Sequence, residues 1–356
     1  MFFQLTQRVL SKRILARFKR EIIQRIIAEN SDFTSLSFGF NIPEAIFQRG
    51  VSYSKLIVIE MPHERDQLVQ GHLFQERNLY HVQNVVLDAY SGILFNESGK
   101  MIEESSSWPV MNLLLNSVPK PPKKKHLPRV QFPQVIAISS NGFYHWLIED
   151  LAPFLFASKV LPEATILVSE NAPLYVRSFV ERYFTNIEFV PRFVNLDQYS
   201  FVSRGPDTEW THPQDISILR DFFNSSIKQT ISDRKLYIPR TNSSRSPDFE
   251  VSLIVQLKEA GWIILETQGL SLDEQIEAIS SAEVICGVHG AGLSGMIWMA
   301  PNSTVIELSP RNFVPCFSRL GMICKHQYHR IPYDDNGDLD LKDMSRSIMN
   351  LIKLKS

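Results

Sequence analysis

The sequence predicts an α/β protein whose two lobes face each other across a cleft. From Gln134 onward, short β-branched runs alternate with amphipathic segments of helix length, the alternation that builds a parallel sheet. The last third repeats this as four strands separated by helices, enough for a doubly wound sheet of its own. The chain of 356 residues also exceeds one ordinary domain and suits two of roughly 150 residues each.

The first 30 residues form an expected basic amphipathic helix. Arg8, Lys12, Arg13, Arg17, Lys19, Arg20 and Arg25 face only Glu21 and Glu29, and Leu5, Val9, Leu10, Ile14, Phe18, Ile22 and Ile26 recur at helical spacing. Such a helix either packs on the protein's own body or lies on an anionic membrane surface. Strands are expected at 55–60 (KLIVIE), 84–87 (NVVL) and 92–95 (GILF), the last two as a hairpin, before a Pro- and Lys-rich loop at 118–128. Strand 135–139 precedes a helix near 143–158, strand 165–168 a helix near 174–184, and strands follow at 187–190 and 199–202. The polar stretch 206–213 (PDTEWTHP) marks the lobe boundary, giving an N-terminal lobe at 31–205 and a C-terminal lobe at 206–340. Within the second lobe, strands 235–238, 262–266, 283–286 and 304–308 alternate with helices near 215–225, 249–260 and 271–281 and with the loop-helix 287–300. A helix over 341–356 closes the chain.

Composition narrows the function. The chain is 44% hydrophobic and 21% charged with a formal net charge of -1, so it lacks the basic excess of a nucleic-acid binder. Three cysteines, Cys286, Cys316 and Cys324, suit a reducing compartment better than a disulfide framework. No stretch reaches the roughly 18 to 20 apolar residues of a membrane span. The expected location is cytoplasmic, or peripheral at the inner face of the membrane if the first helix binds lipid.

The strongest local signal is Gly287-Val288-His289-Gly290-Ala291-Gly292, between a buried-looking strand and the apolar helix 293–299. A Gly-rich strand-loop-helix turn leaves backbone N–H groups uncovered at a helix N-terminus, where they and the helix dipole favour phosphate. The alternative is a tight turn whose glycines allow close strand-helix packing. The order G-x-x-G-x-G is not the G-x-G-x-x-G of dinucleotide-binding domains, which argues against an oxidoreductase.

The run 288–310 (VHGAGLSGMIWMAPNSTVIELSP), preceded by KLYIPR at 235–240 and SLDEQIEAISSAEVI at 271–285, resembles glycosyltransferase family 61. The resemblance extends through NGFYHWLIEDLAP at 141–153 and, more weakly, through 84–105. Members include plant xylosyltransferases, O-GlcNAc transferases acting on EGF domains and on dystroglycan, and bacterial polysaccharide enzymes. The resemblance implies an inverting transferase of GT-B type, with two Rossmann-like lobes. The C-terminal lobe would hold a nucleotide sugar, UDP-linked on this reading, and the N-terminal lobe a glycan or polysaccharide acceptor. The chain departs from the family after Arg240. Members carry an Arg followed by an Asn-Glu pair, whereas here Arg245 is followed by Asp248 and Glu250 with shifted spacing.

Two chemical requirements assign the remaining candidates. The departing diphosphate develops negative charge, and Arg240 at a strand end, with Arg245 second, offers the planar fork that suits phosphate. No D-x-D triplet precedes the end of the second sheet, so stabilisation without a metal or other cofactor is expected. His289, Gly290, Ala291 and Gly292 complete the phosphate loop, Glu307 is a candidate acceptor for ribose hydroxyls, and Gln275 and Ser294 are weaker donor-site candidates. The acceptor hydroxyl must also lose a proton to a general base. His145 and Glu149, four residues apart, share a helix face, and family members carry a carboxylate four residues after this His. Glu149 is the expected base, with His145 and Asp150 as alternatives; Asn141 and Trp146 are candidates for acceptor contact. Two other classes stay open: a non-catalytic nucleotide-binding or membrane-scaffold relative, and a dinucleotide-dependent oxidoreductase.

Overall fold

A computed structural model describes residues 79–97, 99, 102, 105, 122–140, 142–203, 211–228, 232–240, 246–310, 315–333 and 341–353, together with two short paired strands, Val58–Ile59 and His72–Leu73. The expected helix at 1–30 and the candidates Asn141 and Arg245 lie outside the described residues. Among the described residues no helix is long and apolar enough to cross a membrane.

The C-terminal part is a five-stranded, wholly parallel sheet in the spatial order Ile263–Ile264, Lys235–Ile238, Val284–Val288, Thr304–Pro310, Gln327–Tyr333. Four of these strands were expected and the fifth was not. Gln327–Tyr333 is largely half-exposed and lies at the sheet's edge, where Pro332 can sit because one side of the strand needs no ladder partner. The anticipated 262–266 strand shortens to two residues at the opposite edge.

The central strands are apolar on both sides, as burial under two helical layers requires. Tyr237, Cys286, Ile306 and Leu308 face Leu253 and Leu257 of helix Glu250–Glu259 and Met344 and Ile348 of helix Leu341–Lys353. Leu236, Ile238, Ile285 and Val305 face the opposite layer, with Ile276 and Ile279 of helix Leu272–Ser280 and Leu293 and Met296 beyond. Helix Leu272–Ser280 starts at a capping box: Ser271 Oγ accepts from Glu274 N at 3.3 Å while Ser271 N donates to Glu274 Oε2 at 2.7 Å. The segment after the glycine loop is a 3₁₀ helix, Ala291–Trp298, in place of the ordinary helix its apolar run suggests.

The N-terminal part contains two sheets. Val135–Ala137, Thr165–Ser169 and Ile187–Val190 form a parallel three-stranded sheet. Ile93–Phe95, Leu79–Asp88, Phe193–Val202 and Arg129–Val130 form a mixed four-stranded sheet, held at one end by a bidentate Arg192 to Asp88 pair at 3.1 Å. Val135, Leu167 and Val190 of the first sheet pack on Val82, Leu87, Val194 and Leu196 of the second. The hairpin anticipated between 84–87 and 92–95 is present, and the strand anticipated at 199–202 runs from Phe193.

The helix that opens at Phe143 joins the two parts. Phe143–His145 is α-helical, Trp146–Asp150 is one π-helical turn, and Leu151–Val160 is α-helical again. Trp146, Leu147, Ile148 and Leu151 belong to one apolar core with Met296, Ile297, Trp298 and Phe317, so the N-terminal helix sits directly on the helical layer of the C-terminal sheet.

Candidate functional site

In the C-terminal sheet the chain runs from strand Lys235–Ile238 outward to Ile263–Ile264, then crosses back to Val284–Val288 and proceeds the other way. Connections leaving two neighbouring strands in opposite directions open a crevice at their carboxyl ends, the position where open α/β sheets take ligands. Arg240 and the 287–292 loop both stand at this crevice.

Arg240 is fixed from two sides. Its backbone N donates to Glu250 Oε1 at 2.8 Å, and its Nη1 donates to the carbonyl of His289. Glu250 is fully buried and also accepts from Tyr237 Oη at 2.9 Å and Ser246 Oγ at 2.8 Å. The carboxylate that looked displaced from a family pattern is thus the anchor of the Arg240 turn. Burial, with Cys286 and Glu250 nearby, pushes the Tyr237 hydroxyl far above its ordinary value, so it remains a donor.

The glycines divide by role. A Cβ at Gly287 would lie 2.8 Å from Ile238 O, one at Gly292 2.7 Å from Ile238 Cγ2, and one at Gly295 2.5 Å from Ile279 Cδ1. These three permit close packing. Gly290 differs: its nearest neighbours are Cδ and Nε of Arg240 at 3.4 and 3.5 Å, so it is the glycine over which the guanidinium arm lies. Ala291 and Gly292 open the 3₁₀ helix beside it.

His289 and Glu307 come together. Residues 288 and 308 are paired in register, His289 N continues the ladder by donating to Leu308 O at 2.7 Å, and the imidazole Nδ1 bonds Glu307 Oε1. Tyr328 Oη donates to the other carboxylate oxygen. Glu307 is fully buried beneath His289 with both oxygens engaged. Gln275 is turned to Leu270 O at 3.1 Å, and Ser294 Oγ donates to Ala291 O at 2.5 Å. Both serve their own local backbone.

On the facing helix, His145 Nδ1 lies 3.0 Å from Glu149 Oε2, with the His side chain 55% exposed and the Glu 10%. The anticipated pair therefore forms, and it forms across a π turn, a feature that recurs at functional sites. Asp150 points elsewhere: it is buried, accepts from Ser139 Oγ, and borders a cavity of about 30 Å³ between the two N-terminal sheets. Trp146 is fully buried against Phe143, Tyr175 and Phe179, which leaves no ring face for an acceptor.

The two histidine-carboxylate pairs are neighbours. Segment Phe143–His145 packs on the 3₁₀ helix Ala291–Trp298. Tyr144 is edge-on to His145 and to Phe317, each at 5.4 Å, and Phe317 is edge-on to His289 at 5.2 Å. Burial first, then Cys316 and Glu149, raises the Tyr144 hydroxyl; burial first, then Glu307, pushes the Cys316 thiol up to about 12. Tyr144 and Cys316 thus lie neutral between the two carboxylates. Sequence reasoning did not anticipate helix Cys316–Ile323, which carries Phe317. No motif marks that helix, and only the contact itself reveals it.

A family model described as Glycosyltransferase 61 matches residues 143–306, a span that starts at the His145 helix and ends beside Glu307. A search of curated proteins gave no match.

Proposed function

We propose, from the match of residues 143–306 to the Glycosyltransferase 61 family model, that this chain moves a sugar from a UDP-linked donor to a hydroxyl of a glycan or polysaccharide, inverting the anomeric carbon. The reading takes the molecule as GT-B-like: the five-stranded sheet binds the donor, and the N-terminal sheets with the helix from Phe143 bind the acceptor. Glu149, oriented by His145, removes the proton as the acceptor oxygen attacks. The bond to the nucleoside diphosphate breaks on the opposite face, and its developing charge is met by Arg240, the 287–292 loop and the N-terminus of the 3₁₀ helix without a metal. Arg245 belongs to the same loop region in sequence and is proposed as a second phosphate contact.

One observation carries this reading. Arg240 is bonded to the His289 carbonyl at the switch point of the sheet, and the exposed His145 with Glu149 sits one aromatic layer away. A cationic anion site beside a carboxylate base is what glycosyl transfer needs.

Thermal denaturation with UDP-, GDP-, ADP- and CMP-linked sugars and the free diphosphates tests it. A ligand at 100 times its Kd stabilises the fold by about 2.7 kcal/mol. UDP or a UDP-sugar is expected to raise Tm, and Arg240→Ala to remove the shift. No shift with any nucleotide defeats the proposal.

A further inference from the structure

Every polar atom of His289 except one is committed. Its backbone N donates to Leu308 O, its carbonyl accepts from Arg240 Nη1, and its ring Nδ1 bonds Glu307 Oε1. Phe317 fixes the ring plane from the side. Nε2 alone has no protein partner among the described residues, and the side chain keeps 24% of its surface exposed at the crevice. Glu307 is buried with 0% of its side chain exposed, and Tyr328 fills its second oxygen.

These constraints fix what the ring can offer. With Nδ1 facing a carboxylate acceptor, a neutral imidazole holds its proton on Nδ1 and presents Nε2 as a lone pair, which repels a phosphate oxygen. A doubly protonated ring satisfies both neighbours, with Nδ1–H on Glu307 and Nε2–H on the anion. The charged groups around it decide between these states. Glu307 favours the cation directly, and the phosphate would do so from the other side. Arg240 opposes it, but it touches the carbonyl and not the ring. Cys316 stays a thiol, and Tyr328 and Tyr144 are phenols. Arg319 lies two residues beyond Phe317 on the same helix, and His145 with Glu149 lies beyond the Tyr144 and Phe317 rings.

Resting on the donor reading given above, we propose that His289 takes up a proton from solvent as the diphosphate binds and grips it through Nε2–H, and that Glu307 and Tyr328 are the positioning residues that make this possible. The site then carries two cations toward the diphosphate, a permanent guanidinium and a histidine charged by its ligand.

Calorimetric titration of UDP in buffers of different ionisation enthalpy, at about pH 8 where an ordinary histidine is neutral, counts the protons bound. The wild type is expected to take up close to one proton. His289→Gln is expected to take up none and to bind UDP about tenfold or more weakly, the scale of losing one hydrogen bond to a charged group. Glu307→Gln is expected to lower both uptake and affinity; if that variant does not fold, Tyr328→Phe, which removes one hydroxyl, is expected to lower them in the same direction by less. A merely structural role for Glu307 leaves proton uptake at the wild-type value. No uptake in the wild type, or full uptake in His289→Gln, overturns the proposal. Inorganic pyrophosphate separates the two readings: if it binds with proton uptake while UDP does not bind, the nucleotide reading falls and this inference stands; if neither binds, both fall.

Discussion

Gly287→Ala tests whether the glycine loop is built for packing at its first position. Gly287 sits in strand Val284–Val288, in register with Ile238 on one side and Glu307 on the other. A methyl group there would lie 2.8 Å from the carbonyl oxygen of Ile238 and 3.3 Å from Leu293 Cδ2. The first of these is a backbone atom of a paired strand and cannot rotate away. Relief requires the two strands to part at the point where the sheet reverses direction. Overpacking of this kind costs about 1–3 kcal/mol, and at roughly 2–4 °C per kcal/mol for a protein somewhat smaller than this one the melting temperature falls by about 2–12 °C.

Gly290→Ala supplies the contrast within the same loop. Its backbone is extended, with φ 178, which any residue adopts, and the new methyl would meet the arm of Arg240 at 3.4 Å and the Val288 carbonyl oxygen at 3.5 Å. Contacts at this distance are ordinary van der Waals contacts, so stability should stay within about 0.5 kcal/mol of wild type and the UDP-induced rise in Tm should be kept. The assay is urea denaturation of both variants alongside thermal shifts with UDP. If Gly287→Ala is as stable as wild type, or if Gly290→Ala is the more damaging of the two, the division of roles among these glycines is wrong.

Two further perturbations address the supports of the site. Glu250→Ala leaves Tyr237 Oη, Ser246 Oγ and Arg240 N without their buried acceptor and should cost about 2–4 kcal/mol in urea denaturation; a loss under about 1 kcal/mol would show that Glu250 does not anchor the Arg240 turn. His326 is buried with Nε2–H donating to Met296 O at 2.9 Å, and burial lowers it from 6.5 to about 4. The unfolded chain therefore binds the proton first as pH falls, so the stability due to neutral His326 is complete above pH 6.5 and is lost progressively down to about pH 4. At ~1.4 kcal/mol per pH unit the loss approaches about 3 kcal/mol. His326→Gln should flatten this slope, and parallel pH profiles for the two proteins would refute the assignment.

Much of the parallel architecture was legible because its central strands are short apolar runs. KLYI at 235–238 was placed to the residue, and the run at 304–308 extends only to Pro310. What escaped is what that signal does not encode. Gln327–Tyr333 alternates half-exposed polar residues along an edge, so it carries no hydrophobic run. Phe193–Val202, which pairs along its length with Leu79–Asp88, was seen only at its last four residues, because its first half places Asn195 and Asp197 among its apolar residues. The 3₁₀ form of Ala291–Trp298 also escaped, since its apolar run reads as an ordinary helix.

The candidate site was legible in a different sense: spacing alone foresaw one contact among its residues and left the others to the strand order. The i,i+4 spacing of His145 and Glu149 was enough to foresee a pair that does form. The glycine pattern was read either as uncovered N–H groups waiting for phosphate or as a tight turn allowing close packing, and a Cβ at Gly287 or Gly292 would press on Ile238. A sequence cannot separate these uses, since both demand the absence of a side chain and differ only in what occupies the space. What distinguishes Gly290 is a neighbour fifty positions earlier, Arg240, brought over it by the adjacency of two strands whose order the sequence does not state. The same adjacency, one strand further along, sets Glu307 under His289. The anion-binding role proposed for this loop therefore rests less on its glycines than on the strand order that gathers Arg240, His289 and Glu307 at one end of the sheet.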